Sequence, residues 1–133
     1  MRKLISPSAL ALSLTAAFAS LAGCAVLAVS AAAILINEEY RDNAVTVIVQ
    51  EDVDVVWTHA LMSLSTMTDA LIEQDNQHHA ARTIIDDAQV TVFVEQHDSD
   101  DTKIYVAAKK YLVYNHELSE LVRDRILSDL FQE

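Results

Sequence analysis

The sequence predicts an α+β fold with two layers, in which two helices pack on one face of an antiparallel sheet of four to five strands. An N-terminal apolar helix is expected to precede this domain. Three observations lead to this prediction: segments of alternating β-branched residues, two segments with helical spacing, and a sharp change in charge after Ile36. The predicted element order of the domain is β-α-β-β-β-β-α.

The first strand and the first helix of the domain follow one another closely. Residues 44–50 alternate and are rich in β-branched residues, which predicts a strand. Asp52 is placed to cap the next helix, and Asp54 would lie favourably in its first turn. The apolar stripe of that helix, with Trp57 as a core residue, is predicted from a spacing of three and four residues: Val53, Val56, Trp57, Ala60, Leu61, Leu64 and Met67.

The middle of the domain predicts a meander of short strands joined by hairpins. The expected strands are residues 69–74, 79–85, 89–95 and 103–108. Asp86-Asp87 and residues 97–101 fall at the joints, where polar residues that tolerate turns belong. The single glycine and the single proline of the chain, Gly23 and Pro7, both precede the domain. Its turns must therefore be made by Asp, Asn and Ser.

A second helix is predicted to close the domain. Residues 109–114 would form a link, and Asn115 is placed to cap the helix. Glu117 and Glu120 favour a helix start because carboxylates interact well with the positive end of the helix dipole. The expected apolar stripe is Leu118, Leu121, Val122, Ile126 and Leu130.

The N-terminus has the layout of a bacterial lipoprotein signal peptide. A positive start is followed by an apolar segment and then by Leu21, Ala22, Gly23 and Cys24, which fits the lipobox at all four positions. Cys24 is the only cysteine, so we expect it to carry a diacylglycerol on its sulfur and an N-acyl chain after cleavage. No other cofactor is expected. The predicted divisions are a signal peptide at 1–23, a lipidated and apolar linker at 24–42, and a periplasmic α+β domain at 43–133.

An uncleaved signal anchor is the alternative for this segment. No charged residue occurs from Ser8 to Ile36, and this run is long enough to span a bilayer. After cleavage, residues 25–36 would rise only about 18 Å as a helix, which is too short to span. Ala25 follows the cysteine where lipoproteins retained at the inner membrane tend to have Asp. We therefore expect a lipid-anchored protein of the outer membrane that faces the periplasm.

The charge of the chain excludes one class of partner. The net charge is −11, and because Arg2 and Lys3 are the only charges before Glu38, the part after Cys24 carries −13. Affinity for nucleic acid depends on clustered Lys and Arg that neutralise phosphates. The chain is therefore not expected to bind DNA or RNA.

The only basic and aromatic cluster in this acidic domain is a candidate partner contact. It comprises Lys109, Lys110, Tyr111 and Tyr114, and it would suit peptidoglycan, lipid head groups or a partner protein. The alternative is a strand end whose lysines offset nearby carboxylates.

Chemistry-bearing motifs are sparse, so no catalytic residue is predicted and the protein is expected not to be an enzyme. The chain has no Gly-flanked serine elbow and no Gly-rich phosphate loop. His78, His79 and His97 with a carboxylate could form a zinc site, but their spacing matches no metal signature, so no metal site is predicted.

Several stretches of the chain form a pattern when taken together: Leu21-Ala22-Gly23-Cys24, residues 25–36, residues 53–64, and Thr102-Lys103-Ile104-Tyr105-Val106 leading into Glu117-Leu118-Ser119. This pattern resembles a family of small uncharacterised bacterial lipoproteins grouped as a domain of unknown function. The resemblance implies a membrane-attached strand-helix-meander-helix domain and no activity. We expect a non-enzymatic envelope lipoprotein that acts through contacts with an envelope protein. The alternatives are a periplasmic ligand- or metal-binding domain and a signal-anchored subunit of an inner-membrane complex.

Overall fold

The computed structural model describes Ile34 and residues 36–132. The predicted signal peptide, the lipobox with Cys24 and the N-terminal apolar helix lie outside these residues. Among the helices that are described, none is both long enough and apolar enough to cross a membrane.

The described chain has an α+β fold with an open antiparallel sheet and three helices. Its elements are α1 (Glu38–Asn43), β1 (Val45–Val49), α2 (Val53–Met67), β2 (Glu73–Asp75), β3 (Ala80–Ile85), β4 (Ala88–Gln96), β5 (Thr102–Lys110), β6 (Val113–Tyr114) and α3 (His116–Phe131). The strand order is β1-β5-β4-β3-β2, and β6 pairs with β5. The predicted meander is confirmed from β2 to β5, while β1 pairs with the distant β5.

The main core lies between one face of the sheet and the two long helices, α2 and α3. Val90, Val92, Ile104 and Val106 point to this face and are fully buried, because residues two apart in a strand share a face. Trp57 of α2 is only 7 % exposed, so its predicted core position is confirmed. The prediction of two helices on one face is confirmed for α2 and α3.

The opposite face of the sheet carries a second, smaller core that the sequence did not predict. Ile34 and Tyr40 are buried there, and they pack on sheet residues Ala80, Phe93, Tyr105 and Ala107. We call Ile34 together with residues 36–43 the N-terminal strap. The strap includes α1 and forms a third layer over part of the sheet, whereas the sequence predicted a fold of two layers.

The caps of both long helices are as the sequence predicts. The side chain of Asp52 accepts a hydrogen bond from the Asp54 N–H at 3.1 Å, and that of Asn115 accepts one from the Leu118 N–H at 3.0 Å. The predicted stripe of α3 is wrong at one position. Leu121 is 55 % exposed, because the helix turns this residue away from the sheet while Leu118 and Val122 face it.

Two segments differ from their predicted secondary structure. The strand expected at residues 69–74 is shorter and lies at Glu73–Asp75. The segment before it contacts β3 through side chains, since the hydroxyls of Thr68 and Thr83 donate to the carbonyls of Ile84 and Leu71. The predicted link at 109–114 is instead the end of β5, a tight turn and β6.

The turns of the domain contain no glycine, because the single glycine of the chain, Gly23, precedes the domain. Asp86 and Asp87 have φ of 51° and 63° and join β3 to β4, which confirms the predicted joint. Positive φ at both central residues gives the twist that suits a two-residue hairpin. Tyr111, with φ of 55°, serves the turn between β5 and β6.

Candidate functional site

The hairpin of β5 and β6 carries the four residues that the sequence selected as a partner contact. At its end, Tyr111 is 87 % exposed, Leu112 88 % and Val113 70 %. We call these three residues the hairpin tip. Three consecutive apolar residues that extend into solvent form a patch that nothing in the described chain covers.

The structure separates the four predicted residues into two pairs. Lys109 and Tyr114 lie at the base of the hairpin, where the Lys109 ammonium is 3.5 Å from a Glu39 carboxylate oxygen and 5.0 Å from the centre of the Tyr114 ring. Lys109 therefore offsets a carboxylate of the strap. Lys110 lies beside the tip, with its ammonium 5.9 Å from the Tyr111 ring centre.

A shallow depression of about 380 Å³ adjoins the hairpin on the side of α3. Lys110 and Leu121 both line it, so the exposed leucine of α3 extends the apolar surface towards the tip. Asp86 and Glu117 line the same depression and make its rim acidic.

The N-terminal strap is fixed to the sheet by its ends and its middle. The Ile34 N–H donates to a carboxylate oxygen of Asp75 in β2 at 3.3 Å. The Tyr40 hydroxyl is within hydrogen-bond distance of the carbonyl oxygens of Thr91 and Tyr105, and burial raises the pKa of this phenol. The strap thus crosses the sheet from its β2 edge to β5.

Arg41 and Glu95 form a polar cluster with Tyr105 at the far end of the strap. The Tyr105 hydroxyl donates to Glu95 at 2.6 Å, and Arg41 lies 3.1 Å from that hydroxyl and 3.4 Å from the same carboxylate. Burial, and then the hydrogen bond with Glu95, raises the pKa of Tyr105. The Arg41 guanidinium also lies 5.3 Å from the centre of the Phe93 ring, a distance typical of cation–π contacts.

The part of this sheet face that the strap leaves open forms a groove of about 540 Å³, which we call the sheet groove. Its lining residues are Ala70, Leu71, Glu73, Arg82, Thr83, Ile84 and Gln89. Leu71 is 63 % exposed and Ile84 47 %. Beside them, the Arg82 Nε donates to Glu73 at 2.7 Å, which fixes the orientation of the guanidinium. Arg82 and Gln89 also line a cavity of about 170 Å³ beneath the strap.

The three histidines of the predicted zinc alternative take separate contacts. His78 donates its backbone N–H to Asp75, and its ring lies 2.9 Å from that carboxylate, which holds the pKa of Asp75 below its usual range. The His79 ring lies 5.5 Å from that of Trp57, and His97 is exposed after β4. Within the described range, no group of three or more metal-binding side chains is arranged around a common point.

The sheet groove and the strap were not found from the sequence. Arg82 and Ile84 alternate with buried Ala81 and Ile85, and this pattern was available as a signal for a second functional face of β3. Nothing comparable marks Tyr40, which lies in a stretch that reads as a linker because its neighbours are charged.

Comparison with known proteins adds no relative. A scan against protein-family models finds no match to this chain, and a search of curated proteins finds no significant match.

Proposed function

We propose that this chain is a lipid-anchored protein of the bacterial cell envelope whose folded domain acts through contacts with another envelope protein. The lipobox at Leu21-Ala22-Gly23-Cys24, behind a positive start and an apolar segment, supports the anchor. Ala25 supports a place in the outer membrane, facing the periplasm. In this proposal the domain performs no chemistry, and its one covalent group is the lipid on Cys24.

The observation that carries the protein contact is the composition of the sheet groove. Protein interfaces combine an apolar centre with a polar rim and are enriched in arginine. The groove sets the exposed side chains of Leu71 and Ile84 beside an arginine whose orientation is fixed by Glu73. Two exposed aliphatic residues next to a preoriented guanidinium suit the apolar and acidic side chains of a partner.

The groove is also preorganised, which favours binding because little ordering is needed on contact. The Thr83 hydroxyl donates to the Leu71 carbonyl at 2.9 Å, and the Thr68 hydroxyl donates to the Ile84 carbonyl at 2.6 Å. These bonds hold the segment before β2 against β3, so both walls of the groove have a fixed position.

Site-specific photo-crosslinking in native membranes tests the protein contact. A photo-reactive amino acid at Leu71 or Ile84 should give the same crosslinked partner, and Arg82→Glu should remove both products. The control position is Met62, which is 58 % exposed on α2 at the other face of the sheet. Equal crosslinking from Met62, or products that survive Arg82→Glu, would argue against the groove as the contact.

The anchor has its own test in Cys24→Ser. Intact-mass measurement of the membrane fraction should show a chain that begins at residue 24 with acyl groups, and the variant should keep residues 1–23 and lose the lipid. A wild-type chain with Met1 intact and no lipid would instead indicate a signal anchor and a subunit of an inner-membrane complex.

A further inference from the structure

We infer that the hairpin tip inserts into the surface of the bilayer that holds the anchor, so that the domain contacts the membrane at a second point. This inference rests on the proposed anchoring at Cys24. Its first support is the tip itself, where Tyr111, Leu112 and Val113 are each at least 70 % exposed. A convex apolar tip of three residues has the shape and size to enter a bilayer surface.

The short stretch of chain between Cys24 and the domain favours lipid as the partner of the hairpin tip. Ile34 is held at β2, and the cavity beneath the strap extends from it to Lys109 and Tyr114 at the base of the hairpin. Three strand spacings, about 14 Å in all, separate β2 from β5. From Tyr114 to Leu112, two extended residues span about 7 Å. The ten residues from Cys24 to Ile34 reach at most about 33–36 Å when extended. A bilayer that holds Cys24 is therefore within reach of the tip.

The chemistry of the tip fits the interface between lipid and water. Tyrosine is enriched at that interface because its ring is apolar and its hydroxyl is polar, and lysine can extend its ammonium to the head groups. Lys110 lies beside Tyr111 and supplies this charge. Asp86 and Glu117 nearby, and the net charge of −13 after Cys24, disfavour a strongly anionic surface. The preferred surface is accordingly zwitterionic.

The backbone at the tip gives a further reason to look for a role there. Tyr111 adopts φ of 55°, a region that is unfavourable for a bulky side chain and easy for glycine. A bulky residue held in this region costs stability, and such residues cluster at functional sites.

A single-thiol label tests this inference on the full, natively processed protein. Lipidation consumes the thiol of Cys24, so Leu112→Cys creates the one free thiol for an environment-sensitive fluorophore. The protein is reconstituted in phosphatidylcholine vesicles with and without lipids that carry a nitroxide quencher. We expect a blue-shifted emission and at least a twofold loss of intensity with the quencher lipid. The same label at Met62→Cys, on α2, should stay water-exposed and unquenched.

The other outcomes distinguish a failure of the tip inference from a failure of the proposed anchor. An unquenched, red-shifted label at Leu112 on vesicle-bound protein would overturn the inference. A blue shift without quenching would place the tip against protein, either another copy of the chain or its own domain, and would also overturn the inference. If intact mass shows Cys24 unmodified with Met1 retained, the proposed anchor fails. The tip is then judged by the same quenching in a Cys24→Ser background, in which the retained apolar segment holds the chain in the vesicles.

Discussion

The hydroxyl of Tyr40 lies 2.9 Å from the carbonyl oxygen of Thr91, a residue 51 positions further along the chain. The same hydroxyl lies 3.1 Å from the carbonyl oxygen of Tyr105 in the neighbouring strand. The Tyr40 side chain therefore connects the strap to β4 and β5. A carbonyl oxygen can accept two hydrogen bonds, so both carbonyls can accept from this hydroxyl in addition to their bonds within the sheet.

Replacing Tyr40 with Phe should destabilise the domain although it keeps the ring. Loss of a buried hydroxyl that serves two carbonyls should cost about 1–2 kcal/mol of unfolding free energy. Urea unfolding followed by the fluorescence of Trp57 measures this change. Tyr111→Phe, at a position that is 87 % exposed, is the matched control and should change stability by less than about 0.5 kcal/mol. Equal effects of the two variants would contradict the contact described for Tyr40.

The carboxylate of Asp75 should make stability depend on pH in the acidic range. The hydrogen bond from His78 lowers the pKa of Asp75, and the Ile34 N–H adds to this effect. A folded-state pKa below the unfolded value means that the contribution is present above the unfolded pKa of about 3.9. It is lost as pH falls through the lower, folded-state pKa.

Asp75→Asn tests this dependence. The stability difference between wild type and variant should shrink as pH falls below about 3.9. Denaturant titrations at several pH values give the difference. A stability difference that grows as the pH falls would contradict a lowered pKa for Asp75.

Two apolar residues of α3 should respond very differently to truncation. Ile126 is fully buried in the main core, whereas Leu121 is 55 % exposed. Ile126→Ala leaves a cavity and should cost about 2–5 kcal/mol. Leu121→Ala should stay within about 0.5 kcal/mol of wild type. Thermal and urea unfolding of both variants measure the two losses of stability. A larger loss for Leu121→Ala than for Ile126→Ala would mean that the orientation described for α3 is incorrect.

The hydroxyl of Ser119 should be essential at the end of β5. It accepts a hydrogen bond from the Ala108 N–H at 2.9 Å, and both residues are buried. Ser119→Ala leaves this donor without that partner and should cost about 1–3 kcal/mol. Ser65→Ala, on the exposed side of α2, is the control and should be nearly neutral. Slower amide exchange at Ala108 in the Ser119→Ala variant would refute the role of this hydroxyl.

The sequence was sufficient for elements whose causes are local. Strict alternation at Val45–Val49, the spacing of α2, and the caps at Asp52 and Asn115 each depend on a few neighbouring residues, and each was found in the structure. The paired aspartates at 86 and 87 likewise reveal a turn because few other residues tolerate positive φ twice in succession.

The features that the sequence did not reveal depend on residues far apart in the chain. Tyr40 is buried only because β4 and β5 present carbonyls and apolar side chains to it. Ile84 stays exposed because the strap, on the same face of the sheet, does not extend over it. Leu121 follows the helical spacing of its stripe yet faces outward, since spacing defines a face without fixing how wide the buried sector is.

The strap also has a consequence for the order in which the chain folds. Tyr40 is made before its partners in β4 and β5, and β1 must wait for β5 as well, because Val45 pairs with Val106. Closing loops of this length delays contacts relative to local hairpins. The strap is therefore synthesised first and docks last, after the strands that it covers have paired.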